Sequence, residues 1–399
     1  MQKRETIMII KCCSFDKMVQ EIKERKQKIV IFGAGVIGTV TVPAIIRQYD
    51  LLDSVLCYID NDKRKWDKDI ALYEKKLTVY GPVYFQNLAN ENIVILMTIS
   101  RYSEVIEQLD HIELLADRIG YIIPMMCLMN FHKQDVCGII KEYRKQMIPK
   151  KIHYMWLGGK EIPRNLQLCI DSWKKYCPDY EIVQWNESNY DIGKNKYMKM
   201  AYENKKYGFV PDYARLDILY NYGGIYMDTD VEVVRSLDDL LYQSAFCGVE
   251  KWQTINFGGC SGSVKGSDAI KMFLDERKKI SFINSDGTIN LNTCGYYDTK
   301  VAIKHGYLLN GTNQHVKGIN IYTYDYFHSY DYMSGKIELS DDTYTIHHFN
   351  GGWMNESMKQ QNELRGAGAV HPAGGTPAGR IRAEGDKTEL VRDRSYGKA

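Results

Sequence analysis

Between Lys28 and Gly38 a β-branched run, IVIF, gives way at once to the glycine-rich GAGVIG. A short apolar run that breaks into glycines and is followed by a helical pattern (Thr39–Gln48) reads as strand, turn and helix. The stretch Ile29–Ile46 is uncharged and long enough to suggest a membrane span. Gly33, Gly35, Gly38 and Pro43 inside it argue for the strand–turn–helix instead. Two more buried strands follow, SVLCYID ending at Asp60 and NIVILMT over 92–98, and Tyr121–Ile123 opens a fourth. Strands that alternate with helical stretches require a parallel α/β sheet. Residues 1–145 are therefore expected to form a Rossmann-like domain.

A second α/β region runs over 146–364. KKIHYMWLGG reads as a strand leaving a Gly-Gly turn, Pro163–Tyr176 as a helix, and YEIVQW as another strand. Leu166, Cys169, Ile170 and Trp173 fall on one face of that helix. Beyond Arg365 the chain is Gly/Ala-rich without apolar periodicity. Its basic residues shift from 34 Lys and 12 Arg before that point to 2 Lys and 4 Arg after it. Residues 365–399 are expected to be a disordered or non-native tail.

Charge narrows the function classes. Lys+Arg total 52 against 50 Asp+Glu, a net +2, too balanced for a nucleic-acid binder held by bulk charge. The ten cysteines form no C-x-x-C pair and no zinc-finger spacing, which fits free thiols in a reducing compartment. The N-terminus has no apolar leader core, so a cytoplasmic protein is expected, in contact with the inner face of the membrane only through its acceptor.

The segment that carries chemistry is PDYARLDILYNYGGIYMDTD, residues 211–230. Pro211 suits the first turn of a helix, and Gly223-Gly224 suits its exit. Asp212 and Arg215, three apart, share a helix face and can meet one ligand. The IYM strand then ends in Asp228-Thr229-Asp230. Two residues apart in an extended segment face the same side, so the two carboxylates offer a hard-oxygen site for Mn²⁺ or Mg²⁺. Such an ion neutralises a diphosphate.

This segment resembles the central motif of the DXD-type sugar transferases, which include fungal α-mannosyltransferases, bacterial capsular-polysaccharide transferases and the glucosyltransferase domain of large bacterial toxins. The resemblance covers roughly residues 148–355. It implies a GT-A fold, a UDP- or GDP-linked sugar donor, a divalent metal, a saccharide or lipid-linked saccharide acceptor, and transfer with retention of configuration. It also implies roles. Trp156 stacks on the nucleotide base, and Asp212 and Arg215 bind donor sugar hydroxyls. Tyr226 lines the metal site, Asp228 contacts ribose or the metal through water, and Asp230 ligates the metal. TIHHFNGGWMN, residues 345–355, resembles the closing His-x-x-Gly/Ser-x-Trp motif. Five residues before Trp353 this gives His348 as the last metal ligand, with Trp353 donating its N–H to the diphosphate. Gly352 stands where the family often has Ser. Asn256, in NFGGCSGS, is a weaker candidate for a donor or acceptor contact.

The N-terminal Gly33-Ala-Gly35-Val-Ile-Gly38 pattern, with Asp60 following at the end of the next strand, matches a dinucleotide fingerprint. It is equally similar to Rossmann-like modules fused to polysaccharide-biosynthesis enzymes, so bound nucleotide and a structural or docking role both stay open. For the whole chain the expected activity is a metal-dependent retaining glycosyltransferase in capsular or cell-surface polysaccharide synthesis. An NAD(P)-dependent sugar-nucleotide oxidoreductase and a non-catalytic nucleotide-sugar binder are the alternatives.

Overall fold

The computed structural model describes residues 7–99, 102–130, 138–331, 336–349, 381–384 and 387–390. The chain divides into two compact units, Met1–His132 with His371–Ala399, and Lys133–Val370. In the first, six strands pair in parallel in the order Ile9–Lys11, Ile119–Ile122, Ile93–Met97, Lys28–Phe32, Val55–Ile59, Lys75–Tyr80. Asp69–Leu72 closes the far edge as an antiparallel hairpin strand. Every residue of Ile93–Met97 is buried, as expected of a strand covered on both faces. Val30, Phe32, Ile59, Ile95 and Met97 join Phe85, Leu88, Val105 and Leu109 in one apolar core.

The four expected strands are present. The strands Ile9–Lys11, Asp69–Leu72 and Lys75–Tyr80 were not anticipated: the first is three residues long, and the second has only one of four residues buried. Within the segment expected to lack order, Ile381–Glu384 and Lys387–Leu390 form an antiparallel pair, and Lys11 faces Glu389.

The second unit is built on a mixed sheet ordered Gln314–Val316, Ile319–Tyr322, Ala245–Val249, Ser261–Ser263, Gly224–Tyr226, Lys151–Met155, Glu181–Trp185. Its last three strands pair in parallel, and Ser261–Ser263 runs antiparallel between two of the others. Residues expected to close the first domain belong here instead: Ile140 donates its N–H to the Tyr322 hydroxyl, and Tyr143 donates to the Tyr242 carbonyl. The core gathers Ile152, Trp173, Ile225, Met227, Val231, Phe246 and Phe327. Trp173, wholly buried, donates its indole N–H to the Val231 carbonyl at 2.7 Å. This ties the helix Arg164–Tyr176 to the strand Val231–Val233 just beyond the acidic turn. The α/β class read from the sequence therefore holds for both units.

Candidate metal and sugar site

Pro211–Tyr222 is a helix with Pro at its start and Gly223 at its end, as expected. Gly223 sits at φ +69° and Gly224 at +97°, and a Cβ on Gly223 would lie 2.8 Å from the Lys265 nitrogen. Only glycine satisfies both conditions. This tight exit drops the chain into the short strand Gly224–Tyr226, paired to Lys151–Met155, and so delivers Met227 and Asp228 to the sheet's end.

Asp212 and Arg215 do meet on one helix face, with a guanidinium–carboxylate distance of 3.5 Å. Both are buried. Arg215 also reaches Asp228 at 3.2 Å, so one guanidinium lies between the helix and the acidic turn. Burial pushes the Asp212 carboxyl above its usual range, against the pull of Arg215. The Arg215 Nε is buried without a hydrogen-bond partner among the described residues. Tyr226 is fully buried, with the Arg215 guanidinium 5.7 Å from its ring centre. Its hydroxyl has no hydrogen-bond partner at good geometry and feels the Asp228 charge, which together with burial raises its pKa.

The two carboxylates of the acidic motif converge for a different reason than strand alternation. Residues 229–230 form a turn, closed by the Val231 N–H donating to the Asp228 carbonyl at 3.2 Å. The third member of the cluster is His347, in place of the expected His348. Asp228, Asp230 and His347 each offer a ligand atom within 4.8 Å of the others, and His347 Nε2 lies 3.3 Å from Asp230. Strand parity explains the exchange. Val231 pairs with His347 in the antiparallel ribbon Val231–Val233/Thr345–His347, and His347 is buried. The next residue faces the other way, and His348 Nε2 instead meets Glu232 at 3.0 Å.

Two carboxylates and an imidazole suit Mn²⁺ or a similar divalent ion. The geometry agrees with that chemistry, because the three ligand atoms lie within 4.8 Å of one another and His347 turns its Nε2 toward Asp230. Burial alone would lower the His347 pKa. The Asp230 carboxylate more than reverses this and raises it.

The remaining expected residues are distributed as follows. Trp156 is half-buried just past the strand Lys151–Met155 and donates its indole N–H to the Lys160 carbonyl at 2.6 Å. Asn256 is buried and acts on the chain's own backbone. Its Oδ1 accepts from the Gly258 N–H at 2.7 Å, its Nδ2 donates to Glu250 at 2.8 Å, and the Gly258 carbonyl accepts from the Asp228 N–H at 2.8 Å. Trp353 lies outside the described residues.

The glycine pair beside Asn256 was overlooked. A Cβ on Gly258 would stand 2.1 Å from Asp228 Oδ2, and one on Gly259 would stand 2.1 Å from His328 Nε2. The signal was present in NFGGCSGS, but the partners these glycines approach lie tens of residues away.

In the first unit, Gly33 turns at φ +109°, and a Cβ on Gly38 would lie 1.9 Å from the Gly33 carbonyl oxygen. Gly35 faces open space. Asp60 does not stand free at its strand end. Its Oδ2 accepts from the Ala34 N–H at 2.7 Å and from Lys65 at 2.8 Å, and its Oδ1 accepts from the Asp62 N–H. The acid thus holds the glycine loop in shape, which fits the structural alternative for this motif.

Comparison with known proteins finds a DXD-containing family region across the acidic motif. Residues 163–247 match the model of the glycosyltransferase sugar-binding region containing the DXD motif, which bears out the resemblance drawn from residues 211–230. Inositol phosphoceramide mannosyltransferase 3 of Schizosaccharomyces pombe is 35% identical over 138 residues, 31% of this chain and 37% of that protein. Mannosyl phosphorylinositol ceramide synthase SUR1 of Saccharomyces cerevisiae is 36% identical over 111 residues, 26% of this chain and 28% of that protein. The chain thus spans about a third of the length of these curated relatives. Among solved structures, the PaToxG glycosyltransferase is similar at 22% identity with a TM-score of 0.33, over 41% of this chain and 72% of that one.

Proposed function

We propose that the chain is a divalent-metal-dependent glycosyltransferase. It moves a hexose, with retention, from a nucleotide-diphosphate sugar to a hydroxyl of a saccharide or lipid-linked saccharide. The relatives' names favour mannose as the sugar and an inositol-bearing lipid as one form of acceptor. The reaction belongs to cell-surface glycan synthesis at the cytoplasmic side of the membrane. Among the described residues no helix is long and apolar enough to cross a membrane, so contact would come through the acceptor.

The observation that carries this reading is the direct coupling of the two half-sites: Arg215 touches both Asp212, on the helix, and Asp228, in the metal cluster. Asp228, Asp230 and His347 would hold the ion, whose chemistry is to neutralise charge on the departing diphosphate. Asp212 and Arg215 orient the sugar hydroxyls. The Arg215 charge, buried and fixed before the reaction, favours the transition state because no solvent has to reorganise around it. Trp156 stands at the strand end to stack on the base. With Asp212 already engaged by Arg215 and by the Tyr197 hydroxyl, attack comes from the acceptor hydroxyl on the face the leaving group departs from. The hydroxyl proton passes to the departing phosphate oxygen.

The test is donor hydrolysis with Mn²⁺ across GDP-mannose, UDP-glucose, UDP-galactose and UDP-N-acetylglucosamine. One donor should be cleaved, and Asp230→Asn should abolish the cleavage. If no donor is cleaved, or if the variant matches the wild type, the reading fails.

A further inference from the structure

Both carboxylates that meet Arg215 do so through a single nitrogen. Its Nη2 lies 3.5 Å from Asp212 and 3.2 Å from Asp228. A guanidinium gripped at one nitrogen can turn about it, because only a fork of two nitrogens fixes its plane. The second point of contact is on the other side, where Arg215 Nη1 donates to the Cys294 sulfur at 3.6 Å. A Cβ on Gly258 would lie 3.0 Å from the same nitrogen, so Nη1 is confined between the Gly258 loop and residue 294.

Cys294 opens the helix Cys294–Lys304, and this helix touches both halves of the site. Through Cys294 it meets Arg215. Through Thr299, whose hydroxyl oxygen accepts from the Ile255 N–H at 2.8 Å, it holds the strand Ile255–Asn256 that leads into the Gly258 loop beside Asp228. The helix is fixed in turn by Arg277, the last residue of the helix Asp268–Arg277. Arg277 Nη2 donates to the Asp298 carboxylate at 2.6 Å and to the Cys294 carbonyl at 3.3 Å. Arg277 thus grips the helix at two points about one turn apart.

Stability alone is a poor account of this pair. Arg277 is 1% exposed, and its Nε and Nη1 have no hydrogen-bond partner among the described residues. An apolar pair of similar volume would join the two helices at no greater cost. It would not supply a directed contact to the residue 294 carbonyl. Nor would it supply charge, and Arg277 joins Arg215 in opposing the effect of burial on the Asp212 carboxyl.

We propose that Arg277, held by Asp298, is a positioning residue for sugar transfer: it fixes residue 294 so that Arg215 keeps one orientation between Asp212 and Asp228. The proposal rests on the glycosyltransferase reading and adds to it a residue that acts through Cys294. Its consequence is kinetic. Stabilisation of the transition state depends on the Arg215 charge being in place beforehand, so a guanidinium that turns away lowers turnover more than it lowers metal or nucleotide binding.

The experiment uses the full chain and removes the pair without leaving a buried charge alone. In Arg277→Met/Asp298→Leu the urea midpoint should stay near that of the wild type. Affinities for Mn²⁺ and for the nucleoside diphosphate, by calorimetry, should also be retained. Mn²⁺-dependent donor hydrolysis should lose at least tenfold in kcat with little change in KM, the pattern of an interaction made in the transition state. A folded double variant with wild-type kcat overturns the proposal. So does one whose Mn²⁺ affinity falls in step with kcat.

Cys294→Ala tests the relay at a residue that is only partly buried. It should lower kcat at least fivefold, and Cys294→Ser, which keeps an acceptor for Arg215, should recover most of that loss. Wild-type kcat in Cys294→Ala overturns the relay even where the double variant fails to fold. Alkylation of Cys294 by iodoacetamide, read by mass spectrometry, needs no turnover. The double variant should label at least fivefold faster than the wild type, and an unchanged rate overturns the proposal. Absence of donor cleavage by the wild type counts against the parent reading instead.

Discussion

Gly258→Ala tests the arrangement of the acidic turn with a single added methyl group. Gly258 does not adopt a left-handed conformation, so alanine is free to take its backbone and the effect comes from contact alone. The new Cβ would stand 2.1 Å from Asp228 Oδ2, 2.9 Å from its Cγ and 3.0 Å from Arg215 Nη1. An ordinary contact is about 3.5 Å or more, so the carboxylate must retreat by roughly 1 Å or the loop must lift. Overpacking of this kind costs about 1–3 kcal/mol. For a unit of this size that is a fall of about 2–12 °C in Tm. The larger effect is on function. A misplacement of about 1 Å at a reacting centre costs on the order of 100-fold, and the retreat also separates Asp228 from Arg215. The assay is Mn²⁺ titration by calorimetry together with Mn²⁺-dependent donor hydrolysis. Gly35→Ala, with nothing near its Cβ, is the control and should match the wild type in both. A Gly258→Ala protein that binds Mn²⁺ with wild-type affinity and turns over normally would refute the placement of Asp228 beneath this loop.

The choice of histidine is testable directly: His347→Ala should weaken Mn²⁺ binding at least tenfold, and His348→Ala, whose ring meets Glu232, should leave it within about twofold; calorimetry distinguishes them. The raised His347 pKa gives two opposite pH dependences. Without metal, the His347–Asp230 attraction stabilises the fold at pH values below the unfolded pKa and is lost as pH rises through the raised folded value, which urea midpoints would follow. Metal needs the neutral imidazole, so Mn²⁺ affinity should instead decline as pH falls through that same value. Arg277 and Asp298 form a buried pair at 2.6 Å with side chains 0% and 3% exposed. Asp298→Asn or Arg277→Met alone should destabilise by about 3–5 kcal/mol, and the double variant by less than the sum, in a urea double-mutant cycle. Gly38→Ala, by its approach to the Gly33 carbonyl, should lower the stability of the first unit by about 1–3 kcal/mol while leaving Mn²⁺ binding unchanged.

The parts of this molecule that were legible in the sequence share one property: their determinants lie within about twenty consecutive residues. The central strands of the first sheet announce themselves because burial on both faces makes them continuous apolar runs, as in Ile93–Met97. The helix Pro211–Tyr222, its glycine exit and the pairing of Asp212 with Arg215 are set by local geometry, so their spacing sufficed. Wherever a residue's role depends on a distant partner, spacing failed. Counting back from Trp353 selected His348, but the register of Val231 against His347 decides which imidazole turns inward, and that pairing joins segments more than a hundred residues apart. Asn256 stands only as a weaker ligand-contact candidate in the sequence, because its Gly258 backbone and Glu250 partners are not visible there. Gly258 and Gly259 carry no local signal, because the Asp228 and His328 atoms that press against them lie tens of residues away. The same logic applies to Asp60. The fingerprint spacing is correct, yet the carboxylate is engaged by Ala34 and Lys65, so the pattern specifies a loop shape before it specifies a ligand. A motif therefore locates the chemistry of this chain to within a turn. Which atom faces inward is settled by strand pairing and by glycines that let distant backbone approach.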